Sequence, residues 1–241
     1  MTARAARGKL TWGTGWRPDE PDVRDRTLAH PQIRKLLGAR RVARLGRRRL
    51  PRRMDLRRWC PPVPFQGGFD SCAAHVAAAL FEFFERRACG HAVQASRLFL
   101  YKVTKSFLGE SGNVGVYIRQ TMGAMKLIGV PAERYWPYLD PGTLAKPNAS
   151  DPRLDLEPTP FCYAVAADSR ASSYYRLDDA AKPGGAGLER SVKAHLAAGI
   201  PVALGFPLYS SLEQATKSGR IPFPAAGEAR LGSHAVVAVG Y

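Results

Sequence analysis

The stretch from Gln66 to Ala74 carries the residue types best suited to covalent chemistry. A glutamine stands six residues before a cysteine, and the loop between them contains Gly67 and Gly68. A long helical pattern follows Cys72, so the cysteine is predicted to lie in the first turn of a helix. Unpaired N–H groups and partial positive charge at a helix N-terminus favour thiolate over thiol. Because the thiolate is the nucleophilic form, Cys72 is a candidate nucleophile; the alternative is an inert buried cysteine.

A histidine near the end of the sequence could supply the base that such a nucleophile needs. His234 enters an apolar, β-branched run that predicts a buried strand. An imidazole beside Cys72 could hold the thiol proton and later donate it to a leaving amine. The side chain of Gln66 and the backbone N–H of Cys72 could both point at one developing oxyanion. His75, three residues after Cys72, is the alternative base, and otherwise is a packed core histidine.

Together, the two stretches resemble the papain-like cysteine peptidases. The family pattern Q-G-x-C-G-S-C-W is matched at Gln66, Gly67, Ser71 and Cys72, and the pattern G-x-H-A-V-x-x-V-G-Y is matched almost throughout residues 232–241. The sequence departs from the family at Phe69, Asp70 and Ala73. The lead-in over residues 54–63 resembles the prokaryotic branch, and the resemblance covers residues 54–241. It implies an α+β fold of two lobes with the active-site cleft between them.

By this resemblance, the protein is expected to hydrolyse peptide bonds through a Cys72 thioester, with His234 and Gln66 as the other catalytic residues. In the family an asparagine follows the histidine strand and orients the imidazole. This sequence ends at Tyr241, seven residues after His234, so we expect an incomplete triad and a truncated second lobe. The alternative is a papain-fold protein with weak or no catalysis that binds peptides or a protein partner.

The pattern of predicted elements is helical first and strand-containing later, which indicates an α+β fold. We expect a basic N-terminal extension or pro-like arm at 1–53 and a peptidase domain at 54–241. The helical lobe would cover about 54–140 and the β-rich lobe about 158–241. Helices are predicted at 73–88, 94–108, 115–128 and 188–198, and strands at 161–166, 201–206 and 235–239. His195, on the helix at 188–198, is expected to face outward.

Positive charge is concentrated in the extension. The net charge is +16, and residues 1–58 hold 18 of the 36 Lys and Arg but only 5 of the 20 Asp and Glu. A possible short basic helix over residues 31–50 points to an acidic partner or to a solvated linker. Nucleic acid is disfavoured because aromatic residues do not alternate with the basic ones. Trp12 and Trp16 are costly to expose, so this arm is predicted to pack on the body and shield it.

Composition also limits the expected location, cofactors and partners of the protein. The sequence shows no apolar run of about 18 residues and no apolar signal segment at residues 1–10, so we expect a cytoplasmic protein without a membrane partner. The four cysteines have no metal-ligand spacing, and we expect neither a metal nor a cofactor. Cys60, Cys89 and Cys162 are interpreted as structural, with a Cys60 disulfide left open. The expected partner is a peptide or protein substrate.

Overall fold

The structure, a computed structural model, describes residues 14–39, 49–140, 144, 151–178 and 186–241. The described helices are α1 (Pro31–Ala39), α2 (Cys72–Cys89), α3 (Arg97–Leu108), α4 (Ile118–Leu127), α5 (Pro160–Ala166), α6 (Ala186–Ala197) and α7 (Ala215–Ser218). The strands are β1 (Trp16–Arg17), β2 (Val116–Tyr117), β3 (Val202–Tyr209) and β4 (Arg230–Ala238), and short 3₁₀ turns lie at Arg57–Trp59, Pro152–Leu154 and Ser210–Gln214. The prediction of an α+β fold is confirmed.

Helix α2 lies at the centre of the main core. Its alanine-rich face, together with Val76, is buried against apolar side chains of α3 and α4. Ala235 of β4 joins the same cluster, which ties the helical part of the chain to the strand that carries His234. The helix ends at Gly90, which has a φ of 82° and so takes the left-handed conformation that glycine adopts without strain.

Strands β3 and β4 form an antiparallel pair whose register places Phe206 opposite His234 and Gly205 opposite Ala235. Partly buried residues from the end of β4 pack against α2 and α6. They belong to a further apolar cluster built on Leu56, Phe83 and Leu196. Burying apolar area contributes roughly 25 cal/mol per Å². This cluster therefore holds the β3–β4 pair at a fixed position beside α2.

The helices predicted at 73–88, 94–108 and 188–198 and the strands at 201–206 and 235–239 are confirmed within a few residues. The strand predicted at 161–166 is wrong, because these residues form α5. The Thr159 side chain accepts a hydrogen bond from the N–H of Cys162, and Pro160 occupies the first turn. This N-cap and proline are the usual start of a helix, and they outweigh the β-branched and aromatic composition.

Two other predictions also need correction. The helix predicted at 115–128 begins at Ile118, because Val116 and Tyr117 form the short strand β2. His195 does not face outward; it is buried, with its Nδ1 2.7 Å from the Ser191 carbonyl and its ring tilted against Tyr175. The basic run over residues 40–48 lies outside the described residues.

Candidate active site

Cys72 is the first residue of α2, as predicted, and it lies beneath β4. Its side chain is only 1% exposed. Burial raises the pKa of the Cys72 thiol, while hydrogen bonds from the backbone N–H groups of Ala235, Ala73 and Gly15 act in the opposite direction. The expectation that the helix N-terminus would make Cys72 a ready thiolate is therefore wrong for this conformation. Desolvation of the sulfur outweighs the helix-end effect.

His234 lies on β4, next to the residue whose backbone contacts the Cys72 sulfur. Burial lowers the pKa of the His234 imidazole, so the ring favours its neutral form. Its Nδ1 is buried and has no hydrogen-bond partner among the described residues. Burial therefore favours a neutral imidazole and a protonated thiol over the ion pair that a reactive cysteine needs.

Gln66 begins the loop that leads into α2. Its Nε2 donates to the backbone carbonyl oxygen of Phe69 at 2.8 Å, and the backbone carbonyl oxygen of Gln66 accepts from the Tyr138 hydroxyl at 3.2 Å. These contacts fold the loop back on itself at the start of the helix. The role of Gln66 as an oxyanion donor stays a prediction.

His75 is placed differently from His234. Its Nδ1 lies 3.1 Å from the Ser71 carbonyl oxygen, and its ring makes an edge contact with Tyr138 at 4.9 Å between centroids. Burial lowers the pKa of His75 to about 3. A ring that stays neutral and contacts its own helix and Tyr138 fits the interpretation of a packed core histidine.

Asn113 organises the same loop, and its role was missed by sequence reasoning. Its Oδ1 accepts from the backbone N–H of Asp70 at 2.8 Å, and its Nδ2 donates to the carbonyl oxygen of Gly68 at 3.1 Å. The neighbouring backbone is fixed by Tyr101, whose hydroxyl donates to the Val114 carbonyl at 2.6 Å. Asn113 thus joins the loop before Cys72 to the segment that leads into β2. The only sequence signal was an asparagine beside a glycine in a turn.

Replacing Asn113 with alanine is expected to lower kcat about tenfold or more with a smaller change in KM. Without both hydrogen bonds, the loop no longer holds Gln66 and the Cys72 N–H, the predicted oxyanion donors, in a fixed position. Steady-state peptide hydrolysis and thermal unfolding separate catalysis from stability, and both are measured in the Arg17→Ala/Asp25→Ala background, in which the contacts of the N-terminal arm described below are removed. Ser111→Ala, on an exposed residue of the same segment, is the matched control. An Asn113→Ala protein with wild-type kcat and a lowered Tm would show that Asn113 acts on stability alone.

The N-terminal arm passes directly over the Cys72 sulfur. The Thr14 N–H donates to Asp70 Oδ1 at 2.9 Å, and Gly15 forms a parallel bridge with Ser233. The next two residues form β1, which pairs in parallel with β2. A Cβ built on Gly15 would overlap the side chain of Asp70, so this close approach requires glycine. The arm therefore fills the space between the helix start and β4.

Charge pairs and apolar contacts fix the arm further along. Arg17 donates to both carboxylate oxygens of Glu110, at 2.6 and 2.9 Å. Asp25 lies between Arg119 and Arg176, 2.7 Å from each, and its side chain is only 10% exposed. On α1, Ile33 and Leu37 are buried against three apolar groups, namely Tyr175, Ala198 and Ile200. The docked segment thus contributes both a basic and an acidic partner to its ion pairs with the body. Trp12 lies outside the described residues.

All four cysteines are free thiols, and Cys89 is the exposed one. Within the described ranges no group of three His, Cys, Asp or Glu side chains is placed to hold a metal ion. No helix in the described part of the chain is long and apolar enough to cross a membrane.

The fold is of the papain-like class, with Cys72 below the strand that carries His234. The whole chain superimposes on 83% of xylellain, a cysteine protease from Xylella fastidiosa, with a TM-score of 0.73 and 29% identity. The fold is also similar to that of procathepsin B from Trypanosoma congolense, with a TM-score of 0.61, 16% identity, and coverage of 95% of this chain and 71% of that one. The resemblance recognised in the sequence is confirmed.

A sequence relative supports the same class. The chain is 27% identical over 183 residues to an uncharacterised peptidase C1-like protein of Acanthamoeba polyphaga mimivirus. The matched region is 73% of this chain. The chain therefore spans about half of the length of that relative, 54%. No protein-family model matches the chain.

Proposed function

We propose that the protein is a cysteine peptidase that hydrolyses peptide bonds of peptide or protein substrates. The observation that carries this proposal is the position of Cys72, at the start of α2 and in contact with the backbone of the residue after His234. The similarity to xylellain supports it, because that protein is a cysteine protease of the same fold. The alternative, a papain-fold protein without catalysis, has no specific support from these observations.

The proposed reaction uses groups that this chain supplies. His234 takes the thiol proton, and the Cys72 sulfur attacks the carbonyl carbon of the scissile peptide. Gln66 and the Cys72 backbone N–H donate to the oxyanion that forms. The C–N bond then breaks as the imidazolium donates its proton to the leaving amine, which leaves a thioester on Cys72. Water, deprotonated by His234, attacks the thioester and releases the acid and the free thiol.

We further propose that residues 1–53 act as a pro-like inhibitory arm on the peptidase domain at 54–241. Gly15 covers the sulfur, and the raised pKa of the Cys72 thiol keeps it protonated while the arm is docked. A substrate carbonyl cannot approach the sulfur until this segment leaves. The acidic partner expected for the basic N-terminal arm and the cytoplasmic location both stay predictions.

Asp19 gives arm docking a pH dependence. Its carboxylate accepts from the Arg119 backbone N–H, yet burial raises the pKa of Asp19 from 3.8 to about 6. The docked arm therefore favours the protonated acid, and Asp19 weakens docking as the pH rises from about 4 to about 6. We expect Asp19→Asn to tighten docking about tenfold at pH 7. Hydrogen exchange of residues 14–26, followed from pH 4 to 8, measures this effect.

The control for Asp19 is Asp22→Asn, because Asp22 pairs with Arg24 inside the arm and not with the body. The Asp19→Asn and wild-type arms should be protected equally near pH 4, where the wild-type carboxyl is protonated when docked. If Asp19→Asn and wild type show the same protection at pH 7, burial of this carboxylate does not influence docking.

The proposed activity is tested with internally quenched peptides and with a peptide epoxide that alkylates active-site thiols. The Arg17→Ala/Asp25→Ala protein, in which the arm loses its ion pairs with the body, should hydrolyse the peptides, and mass spectrometry should place the epoxide on Cys72. Labelling first at exposed Cys89, or no hydrolysis after arm release, would contradict the proposal.

A further inference from the structure

The hydroxyl of Tyr138 joins the two ends of the loop that precedes α2. It donates a hydrogen bond to the backbone carbonyl oxygen of Gln66 at 3.2 Å, and it lies 2.7 Å from Ser71 Oγ. Gln66 begins this loop, and Ser71 is the residue immediately before Cys72. A single hydroxyl therefore sets the distance between Gln66 and the start of the helix.

The direction of these hydrogen bonds follows from the protons that are present. A tyrosine hydroxyl has one hydrogen and a carbonyl oxygen can only accept, so the Tyr138 hydrogen goes to Gln66. Ser71 must then donate its own hydrogen to the Tyr138 oxygen. Burial raises the pKa of Tyr138, so the hydroxyl keeps the proton that this arrangement needs. The bridge between Gln66 and Ser71 thus has one defined arrangement.

Contacts outside the loop hold Tyr138 itself in place. Its backbone N–H donates to Glu133 Oε1 at 2.8 Å, and its ring makes an edge contact with the His75 ring at 4.9 Å between centroids. The ring also packs against the main core cluster. Because these contacts are independent of the loop, the fold fixes the hydroxyl, and the hydroxyl can in turn fix the loop.

Gln66 is held at both of its ends. Its Nε2 donates to the Phe69 carbonyl oxygen, which fixes the side chain, and Tyr138 fixes its backbone. A donor stabilises a developing oxyanion most when its position is set before the charge develops. The Tyr138 hydroxyl therefore contributes to the preorganisation of Gln66, the predicted oxyanion donor.

We propose that Tyr138 is a positioning residue, which holds Gln66 and Ser71 so that the Gln66 side chain and the Cys72 N–H converge on one oxyanion. The inference rests on the proposed peptidase function. Tyr138 contacts neither the sulfur nor the substrate in this scheme, and it acts on catalysis through Gln66.

The first test is steady-state hydrolysis of a quenched peptide in the Arg17→Ala/Asp25→Ala background. Tyr138→Phe keeps the ring and removes the hydroxyl, and we expect kcat to fall about tenfold while KM stays within about twofold. In a Gln66→Ala protein the same substitution should lower kcat less than about twofold, because the donor that Tyr138 positions is already absent. Equal losses with and without Gln66 would overturn the proposal.

Tyr135→Phe is the matched control, because the Tyr135 hydroxyl belongs to the same segment and accepts only a surface hydrogen bond from Arg134 at 2.9 Å among the contacts described. Its kcat should equal that of the parent protein. If Tyr138→Phe does not fold, Ser71→Ala replaces it, since this change removes the other half of the bridge. The comparison with and without Gln66 then decides in the same way.

The second test needs no turnover. The probe is a peptide aldehyde: the Cys72 sulfur bonds to the aldehyde carbon, the thiol proton passes to the aldehyde oxygen, and this oxygen occupies the oxyanion position. NMR of an isotopically labelled aldehyde carbon should show binding about tenfold weaker in the Tyr138→Phe protein. The rate of Cys72 alkylation by iodoacetamide should not change, because that reaction forms no oxyanion. Equal losses in both reactions would show a general disturbance of Cys72 and overturn the positioning role.

The two tests separate the positioning role from the activity. Hydrolysis that does not depend on Tyr138 would overturn the positioning role and leave the proposed function standing. Aldehyde binding that depends on Tyr138, in a protein that hydrolyses no peptide, would support the positioning role and overturn the peptidase function. A parent protein that neither binds the aldehyde nor hydrolyses a peptide would overturn both.

Discussion

Replacing Cys72 with alanine is expected to abolish peptide hydrolysis, with kcat/KM falling about a thousandfold or more. The sulfur forms the bond to substrate, and no other described cysteine lies at a helix start beneath the His234 strand. His234→Ala should cause a loss of similar size, because the same imidazole makes the thiolate and protonates the leaving amine. The two losses should not add in the double variant, since the residues act as a unit.

The measurement is steady-state hydrolysis of a quenched peptide in a background with the arm released, so that the sulfur is accessible. Cys89→Ala is the matched control, since Cys89 is an exposed free thiol at the opposite end of α2. Substantial hydrolysis by the Cys72→Ala protein would contradict the assignment of the nucleophile. If instead His75→Ala, and not His234→Ala, abolished activity, His75 would be the base.

Detaching the arm is expected to raise kcat/KM of the full chain by about tenfold or more. Asp25→Ala removes the carboxylate that pairs with both Arg119 and Arg176, and Arg17→Ala removes the two hydrogen bonds to Glu110. A loss of about 1.4 kcal/mol in docking free energy releases the arm tenfold more often, and removing a partly buried charge pair costs at least this much. The double variant combines the two changes.

Arm release should also change the chemistry of the thiol. Burial raises the pKa of the Cys72 thiol by more than the hydrogen bond from the Gly15 N–H lowers it, so exposure of the sulfur should lower this pKa and increase the thiolate fraction at pH 7. The alkylation rate with iodoacetamide, measured from pH 5 to 9, should reach its plateau at a lower pH in the double variant. Arg24→Ala is the matched control, because Arg24 is 86% exposed and pairs with Asp22 of the same arm. Equal activity and equal alkylation profiles in all three proteins would contradict an inhibitory arm.

The sequence by itself determined the nucleophile candidate, the histidine strand, most of the helices and the fold class. These features are local: a helical period starts at Cys72, and a β-branched run follows His234. The order of helical and strand-forming segments then favours α+β. Where local signals competed, the prediction was wrong, as at residues 161–166, where Thr159 and Pro160 start a helix.

Only the tertiary structure decided what surrounds the sulfur. Gly15 contacts Cys72, and Asp25 pairs with Arg119 and Arg176. These residues are far apart in the sequence, and a periodic pattern cannot predict such long-range pairs. The same holds for Asn113, which holds a loop more than forty positions earlier. The direction of the Cys72 pKa shift also depended on tertiary structure, because a helix N-terminus is readable from sequence but the desolvation that outweighs it comes from the packing of other elements around the sulfur.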